Sequence, residues 1–182
     1  MAKIAIFMAD GCEEIEALTV VDLLRRAGIT IDMIGITAAG KVTGAHGIAF
    51  EVDGNIDSTD FAAYDGIVLP GGMPGTTHLK EHAGVCKQVK AFYEAGKLVA
   101  AICAAPTVLG HCGILDGKNA TCYPGCEDGL GQANRKTEPV VVDGNIVTSR
   151  GMGTAIPFAL QLVAILLDEK TADQLGHSIV YR

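Results

Sequence analysis

Residues 3–35 read KIAIFMADGCEEIEALTVVDLLRRAGITIDMIG, and this stretch decides the fold prediction. The apolar run Lys3–Phe7 predicts a strand, and Thr30–Gly35 predicts a second one. Between them, Glu13–Ala27 predicts a helix, with Gly28 in the position where helices commonly end. Two strands joined by a helix form a βαβ unit, in which the strands run parallel in one sheet.

The rest of the chain continues this alternation of short apolar runs and longer helical patterns. Further elements are predicted as strands at Gly66–Leu69 and Leu98–Ile102, helices within Ala83–Ala95 and at Thr154–Leu167, and hairpins over Lys41–Val52 and over Glu138–Val142 with Asn145–Ser149. We therefore predict one α/β domain over residues 1–182. Its expected fold is a flavodoxin-like, doubly wound, mostly parallel sheet in a three-layer α/β/α sandwich with added hairpins.

The composition restricts the classes of function. The chain has 182 residues, 49% hydrophobic and 19% charged, with a formal net charge of −7. This excludes an intrinsically disordered chain and argues against nucleic acid or an anionic membrane as an electrostatic partner. The N-terminal residues lack a signal-peptide layout, and the longest apolar run, Ile156–Leu167, is too short to span a membrane. We expect a soluble cytoplasmic protein whose six cysteines are reduced.

Cys103 lies at the junction between the predicted strand Leu98–Ile102 and a following helix. Such a strand-to-helix turn is typical of a nucleophile elbow, which holds a reactive side chain above the sheet. We predict that a helix starting at Ala104 directs its positive end at Cys103 and lowers the pKa of the thiol. The alternative is that Cys103 is a small buried hydrophobic residue, a common role of a free cysteine.

The glycine-rich loop after strand Gly66–Leu69 reaches the same edge of the predicted sheet. Backbone at Gly71 and Gly72 can approach an oxygen closely, and the Gly72 N–H together with the Ala104 N–H would form an oxyanion hole for an adduct on Cys103. A tight turn that requires positive φ would explain the same glycines. The spacing matches no nucleotide-binding motif.

Three glutamates, Glu13, Glu14 and Glu16, open the first predicted helix. Acidic residues favour the positive end of a helix, which is explanation enough for most of them. The helical phase places Ile15 toward the core, Glu16 at its rim, and the other two glutamates toward solvent. A carboxyl at the rim of a core holds its proton near neutral pH, so Glu16 is the candidate acid/base.

Four motifs together resemble the ThiJ/PfpI superfamily, in the branch of the parkinsonism-associated protein deglycase, over essentially the whole chain. They are GxEExE at 11–16, LPGG at 69–72, AICAxP at 101–106 and TSRGMGT at 148–154. The resemblance implies that Cys103 is an oxidisable nucleophile and that Glu16 is a protonated glutamate hydrogen-bonded to it. Gly72 and Ala104 would be the backbone donors of an oxyanion pocket.

The resemblance also implies a homodimer whose active site lies near the subunit interface. His46, in the first hairpin, would stand where the family has a residue that reaches the partner's site. The loop at 148–154 resembles a family loop near that interface, although a capped helix N-terminus would explain it equally well.

The chain departs from the family's patterns at two places. Relatives often have a histidine before a proline near the nucleophile, where this chain has Tyr123 and Pro124, and the peptidase-like branch has Cys-His where Cys103 is followed by Ala104. A peptidase or amidotransferase needs a base to activate the thiol, so these activities are disfavoured. The other four histidines, at positions 78, 82, 111 and 177, fall in helical or peripheral segments.

The remaining cysteines carry weaker signals. Cys122 and Cys126 have a chelate-like spacing that suits a soft metal or a disulfide, but a structural zinc site usually needs two such pairs. Cys12 and Cys86 are interpreted as packing residues or exposed thiols. No metal and no cofactor are predicted.

The resulting hypothesis is a cofactor-independent glyoxalase or deglycase that acts on methylglyoxal-type dicarbonyls or their early adducts with protein and nucleotide amines. By the resemblance, Cys103 would add to an aldehyde carbon while Glu16 moves the proton. The alternative is a redox sensor or holdase chaperone in which Cys103 is oxidised to a sulfinate.

Overall fold

The computed structural model describes residues 2–181 as eleven strands and six α-helices. The strands are Lys3–Met8 (β1), Thr30–Gly35 (β2), Lys41–Thr43 (β3), Ala49–Glu51 (β4), Gly54–Asn55 (β5), Gly66–Leu69 (β6), Leu98–Ile102 (β7), Asn119–Ala120 (β8), Asn134–Arg135 (β9), Val140–Asp143 (β10) and Ile146–Ser149 (β11). The helices are Glu14–Arg26 (α1), Gly75–Glu81 (α2), Ala83–Glu94 (α3), Pro106–His111 (α4), Ala155–Leu166 (α5) and Glu169–Ser178 (α6).

A seven-stranded sheet forms the middle layer, in the order β10-β11-β7-β6-β1-β2-β5. All its neighbouring strands are parallel except the β10–β11 pair, which forms the predicted hairpin around residues 143–144. The other predicted hairpin, β3–β4, is a separate antiparallel pair. The predicted mostly parallel α/β sheet with added hairpins is confirmed.

Side chains of the central strand β1 alternate between two cores, as strand geometry requires. Ile4, Ile6 and Met8 pack with α1, α5 and α6, whereas Ala5 and Phe7 pack with α2, α3 and α4. Helices therefore cover both faces of the sheet, which gives the three-layer sandwich expected from the sequence.

Three features of the helices differ from the sequence predictions. The short helices α2 and α6 were not predicted, because each buries only three residues and contains at most two hydrophobic ones. The helix predicted to start at Ala104 starts at Pro106 instead, because residues 103–105 form a turn.

In the described part of the chain, the helices are too short or too polar to cross a membrane.

The sheet order brings three loops together. β7, β6 and β1 are neighbours and parallel, so the loops after Ile102, Leu69 and Met8 leave the same edge of the sheet side by side. The carboxyl edge of such a sheet is where open α/β folds bind ligands.

Candidate active site

Cys103 is held in a strained backbone conformation at the end of β7. Its φ of 64° lies in the left-handed region, which residues other than glycine rarely adopt. Its N–H donates to the Ser149 carbonyl at 2.9 Å, and its own carbonyl accepts from the Tyr123 N–H at 2.7 Å. These two bonds fix the turn between β11 and the segment after β8, so the thiol has a defined position above the sheet.

Glu16, in the first turn of α1, forms a side-chain hydrogen bond with Cys103. The glutamate is only 1% exposed, and its Oε2 accepts the Gly71 N–H at 3.0 Å. Burial raises the pKa of Glu16 to about 7, and the hydrogen bonds with Cys103 and Gly71 oppose part of the rise. The carboxyl therefore exchanges its proton near neutral pH.

The pKa of Cys103 is also raised, to about 12. Burial is the largest cause, followed by the charge of Glu16 and the hydrogen bond to it, while the Ala104 and Gly72 N–H groups lower the pKa. The predicted lowering of the thiol pKa is thus wrong in this resting state. The two backbone donors are present, but they are outweighed by desolvation and by the neighbouring carboxylate.

Between pH values of about 7 and about 12, Cys103 and Glu16 share a single acidic proton, because the first proton of the pair is lost near pH 7 and the second only near pH 12. In the resting site that proton is on the sulfur, because the pKa of the Cys103 thiol is the higher of the two. When it moves to Glu16, the negative charge that opposes the thiolate disappears, and the Gly72 and Ala104 N–H groups remain on the sulfur. The resting pair is therefore a thiol and a carboxylate, and transfer of the proton to Glu16 gives a thiolate that the two N–H groups stabilise.

Glycine is required at both positions of the loop after β6. A Cβ at Gly71 would lie 2.5 Å from Oε2 of Glu16 and 2.6 Å from Cβ of Cys103. Gly72 has a φ of 88°, and a Cβ there would overlap the backbone of Cys12 and Glu13. Close approach and positive φ, which the sequence left as alternatives for this loop, therefore act together.

Tyr123 and Gly151 border the thiol on the other side. A Cβ at Gly151 would lie 3.3 Å from Cδ2 of Tyr123 and 3.9 Å from Sγ of Cys103. The tyrosine side chain is 52% exposed, so it forms part of the wall between the thiol and solvent. The 148–154 loop therefore contributes to the site. The hydroxyl of Thr154 forms hydrogen bonds with the Gly151 backbone and does not cap α5.

His46 lies away from Cys103 of the same chain, beside Glu14. Its Nδ1 is 3.0 Å from Oε2 of Glu14, and the N–H groups of His46 and Ile48 donate to Oε1 at 2.8 and 3.4 Å. Burial acts to raise the pKa of Glu14, but these bonds and one from its own backbone outweigh it and lower the pKa to about 2. The hydrogen bond to Glu14 also raises the pKa of His46.

The helical phase assigned to this turn from the sequence is wrong for two residues. Glu14, expected in solvent, is 3% exposed, and Ile15, expected in the core, is 52% exposed. The β3–β4 hairpin folds over Glu14 and supplies backbone donors to it, a long-range contact that the local pattern does not contain.

Potential metal ligands gather at this second place rather than at the thiol. One ligand atom each from Glu13, Glu14 and His46 lies within 4.8 Å of the others. Glu14 already accepts hydrogen bonds on both oxygens, so the cluster is explained as an ion pair. Within residues 2–181, Cys122 and Cys126 belong to no group of three potential ligands.

Family membership follows from comparison with known proteins. The model of the DJ-1/PfpI family matches residues 2–165. The chain belongs to the DJ-1/PfpI family. The superfamily resemblance drawn from the four sequence motifs is thereby confirmed.

Three relatives match this chain over different shares of their own length. The chain is 38% identical over 182 residues to protein DJ-1 homolog B of Arabidopsis thaliana, covering 99% of this chain but only 42% of that protein. It is 35% identical to protein dj-1beta of Drosophila melanogaster, over 99% of this chain and 98% of the relative. It is 34% identical to a protein named deglycase TK1284 from Thermococcus kodakarensis, over 90% and 99%.

Solved structures of relatives share the fold closely. Oxidised DJ-1 of Toxoplasma gondii superposes with a TM-score of 0.95 at 34% identity, covering 99% of this chain and 98% of that one. A DJ-1 superfamily protein from Salmonella typhimurium gives a TM-score of 0.96 at 33% identity over the whole of both chains. The mostly parallel sheet flanked by helices is the DJ-1 fold.

Proposed function

We propose that this DJ-1/PfpI protein is a cofactor-independent glyoxalase or deglycase that acts on methylglyoxal-type dicarbonyls or on their early adducts with protein and nucleotide amines. The observation that carries the proposal is the hydrogen-bonded pair of Cys103 and Glu16, with the Gly72 and Ala104 N–H groups on the sulfur. The relative named as a deglycase supports an activity of this class. We further propose a cytoplasmic location, where thiols stay reduced, and all six cysteines are free here.

The first step is addition of the Cys103 sulfur to the aldehyde carbon. Glu16 takes the thiol proton, the new C–S bond forms, and the carbonyl electron pair moves to oxygen. Glu16 then gives that proton to the oxygen, which yields a hemithioacetal and leaves the carboxylate ready to act as a base. The Gly72 and Ala104 N–H groups, which stabilise the thiolate in the free site, are then next to the developing oxyanion.

The second step is a proton transfer within the adduct. Glu16, with a pKa of about 7, removes the proton from the former aldehyde carbon and returns it to the neighbouring carbon. The hydroxyl proton passes to the oxygen of that neighbouring carbon, and the product is a thioester of the 2-hydroxy acid. Water then cleaves the thioester to release the hydroxy acid and restore the Cys103 thiol. The sum is addition of one water to the dicarbonyl, with no external oxidant or reductant.

Peptide hydrolysis and amide transfer fit the site less well. The groups that act most strongly on the Cys103 thiol are Glu16 and two backbone N–H groups, and none of them is a histidine. Tyr123, at the position of the family's histidine, approaches the thiol across Gly151. A carboxyl of pKa about 7 suits proton transfer on a carbon acid better than protonation of an amine leaving group.

We also propose that the protein is a homodimer. The exposed Ile15 and the half-buried Leu18 of α1 line an apolar groove of about 630 Å³ with Ile48, Ile156 and Ile179. A second copy of this chain is the proposed occupant. The groove is lined by Glu14 of α1 and by Ile48, which follows His46 in the hairpin, and the resemblance directs that histidine toward the partner's site. Ile15→Asp is expected to give monomers in light scattering. Ile165→Asp changes an isoleucine on α5 that is 43% exposed, against 52% for Ile15, and is expected to leave the dimer intact. A monomeric parent protein would contradict the proposal.

The function is tested by the hydroxy acid formed from methylglyoxal. Cys103→Ala is expected to abolish its formation, and Glu16→Gln is expected to lower it roughly 100-fold or more. Cys86→Ser, which alters a cysteine on α3, serves as the matched control. Full activity retained in both site variants would contradict the proposal.

Redox sensing is a second candidate function, favoured by the same donors. A sulfinate on Cys103 would accept hydrogen bonds from protonated Glu16 and from the two N–H groups, and the superposed Toxoplasma structure is of an oxidised DJ-1. Selective oxidation of Cys103 by mild peroxide in a protein without dicarbonyl turnover would support sensing over catalysis. The holdase alternative stays a prediction.

A further inference from the structure

A second pair of sulfur side chains lies outside the candidate active site, between α3 and α4. Cys86 is in the first turn of α3, and Cys112 directly follows α4. The two helices pack together, Cys86 packs against the core cluster that contains Cys112, and the two thiols interact. Both cysteines are free, so the contact is between two reduced sulfurs.

The two thiols differ in their access to solvent. Cys112 is 4% exposed and belongs to the core beneath α3, whereas Cys86 is partly buried at the edge of that core. A small oxidant can therefore reach Cys86 but not its partner. Burial raises the pKa of the Cys112 thiol, the contact with Cys86 raises it further, and the ammonium of Lys90, one turn further along α3, opposes part of the rise. An accessible thiol beside a shielded one is the arrangement of an attacked and a resolving cysteine.

We propose that Cys86 and Cys112 form a dithiol/disulfide site that is driven by hydroperoxides and is separate from Cys103. The Cys86 thiolate attacks the peroxide, the O–O bond breaks, and the products are a Cys86 sulfenic acid and water or an alcohol. The Cys112 sulfur then attacks the Cys86 sulfur, and the S–O bond breaks to release water. Two thiols are oxidised to one disulfide, and one peroxide is reduced.

The disulfide would join α3 to the C-terminal end of α4, the helix that follows the turn at Cys103. α4 begins three positions after Cys103 and ends at Cys112, so a disulfide fastens the far end of the helix that follows the elbow to α3. Oxidation would thereby restrain the turn at residues 103–105 without modifying the thiol at its centre.

Non-reducing peptide mapping after mild hydrogen peroxide tests the proposal directly. The expected product is a Cys86–Cys112 linked peptide, lighter than its two parts by two hydrogens. Cys112→Ser is expected to lose the link and to accumulate a sulfenic acid on Cys86 that a dimedone probe captures. Cys126→Ser, which changes another partly buried thiol, is the matched control and is expected to keep the link.

Several outcomes would overturn the proposal. These are Cys86 and Cys112 both remaining reduced while Cys103 or Cys126 is oxidised, a linked peptide of any other pairing, or Cys86 proceeding to sulfinic acid in the wild-type protein. The wild-type map decides the matter even where Cys112→Ser does not fold. Dicarbonyl turnover does not enter the readout, so failure here is distinct from failure of the proposed function.

Discussion

Glu14 and Glu16 lie two residues apart on α1, are both buried, and have opposite electrostatic states. The pKa of Glu14 is lowered to about 2, and that of Glu16 is raised to about 7. Two residues along a helix turn the side chain by about 200°, so one carboxyl meets the β3–β4 hairpin and the other meets Cys103. Donors explain the difference: Glu14 accepts two N–H groups and His46, whereas Glu16 accepts one N–H and faces a thiol.

This comparison separates a structural carboxylate from a candidate catalytic one. Burial penalises the charge of both groups, and only the number and kind of donors decides which keeps its proton. Glu14, whose two oxygens both accept hydrogen bonds, holds the hairpin in place. Glu16, which has fewer donors, is available to exchange a proton with Cys103.

The largest effect is expected on turnover. Glu16→Gln keeps the shape of the side chain but cannot carry a proton, so hydroxy-acid formation is expected to fall roughly 100-fold or more. Glu14→Gln, the matched change on the other side of the helix, is expected to leave turnover near the wild-type level. Equal losses in a steady-state assay of the two variants would remove the distinction between the glutamates.

The pH dependence of stability is expected to have opposite signs for the two groups. The pKa of Glu16 is raised from 4.5 to about 7, so the folded state holds an extra proton between these values and stability falls as pH rises through this window, by up to roughly 3 kcal/mol. The pKa of Glu14 is lowered from 4.5 to about 2, so its contribution is present above 4.5 and is lost as pH falls toward 2.

Urea unfolding across pH checks both signs. Glu16→Gln is expected to remove the decline in the free energy of unfolding between pH values of about 4.5 and 7. Glu14→Gln is expected to weaken the loss of stability as pH falls from 4.5 toward 2. The account fails here if Glu16→Gln leaves the decline unchanged.

A smaller effect is expected from removing the hairpin anchor. Glu14→Ala leaves the His46 and Ile48 N–H groups without their acceptor and is expected to lower the free energy of unfolding by about 2 kcal/mol at neutral pH. Denaturant titration measures this loss. Glu94→Ala, an exposed residue at the end of α3, is the control and is expected to change stability far less.

The smallest effect is expected from His46→Ala. The histidine side chain is 68% exposed, and Glu14 keeps its bonds to two backbone N–H groups when the ring is removed. Stability is expected to fall less than in Glu14→Ala, and the pKa of Glu14 is expected to rise. A loss in the same urea titration as large as that of Glu14→Ala would show that the ring, not the backbone, anchors the hairpin.

The sequence predicted what depends on local pattern and missed what depends on contacts between distant segments. The β1–α1–β2 unit, β6, β7 and both hairpins carry clear periodicity or turn signals, and their placement brought Cys103, Gly72 and Glu16 to one edge of the sheet. The burial of Glu14 was missed because the hairpin that covers it begins fifteen residues after α1 ends.

The pKa of the Cys103 thiol could not be predicted from the local sequence pattern either. A positive helix end was predicted to lower the Cys103 pKa, but the turn at 103–105 delays α4, and burial beside Glu16 raises that pKa. The Cys86–Cys112 contact had no sequence signal, since the two residues are far apart in the chain and only the packing of α3 on α4 brings them together.

The central claim is that Glu16 holds and moves the proton of the Cys103 pair. The most direct measurement is a titration of the Glu16 side-chain carboxyl by carbon NMR in the wild-type protein and in Cys103→Ala. The account predicts a midpoint near 7 in the wild type and a higher one in Cys103→Ala, because the hydrogen bond with Cys103 lowers the Glu16 pKa. A midpoint near the ordinary 4.5 in both proteins would contradict it.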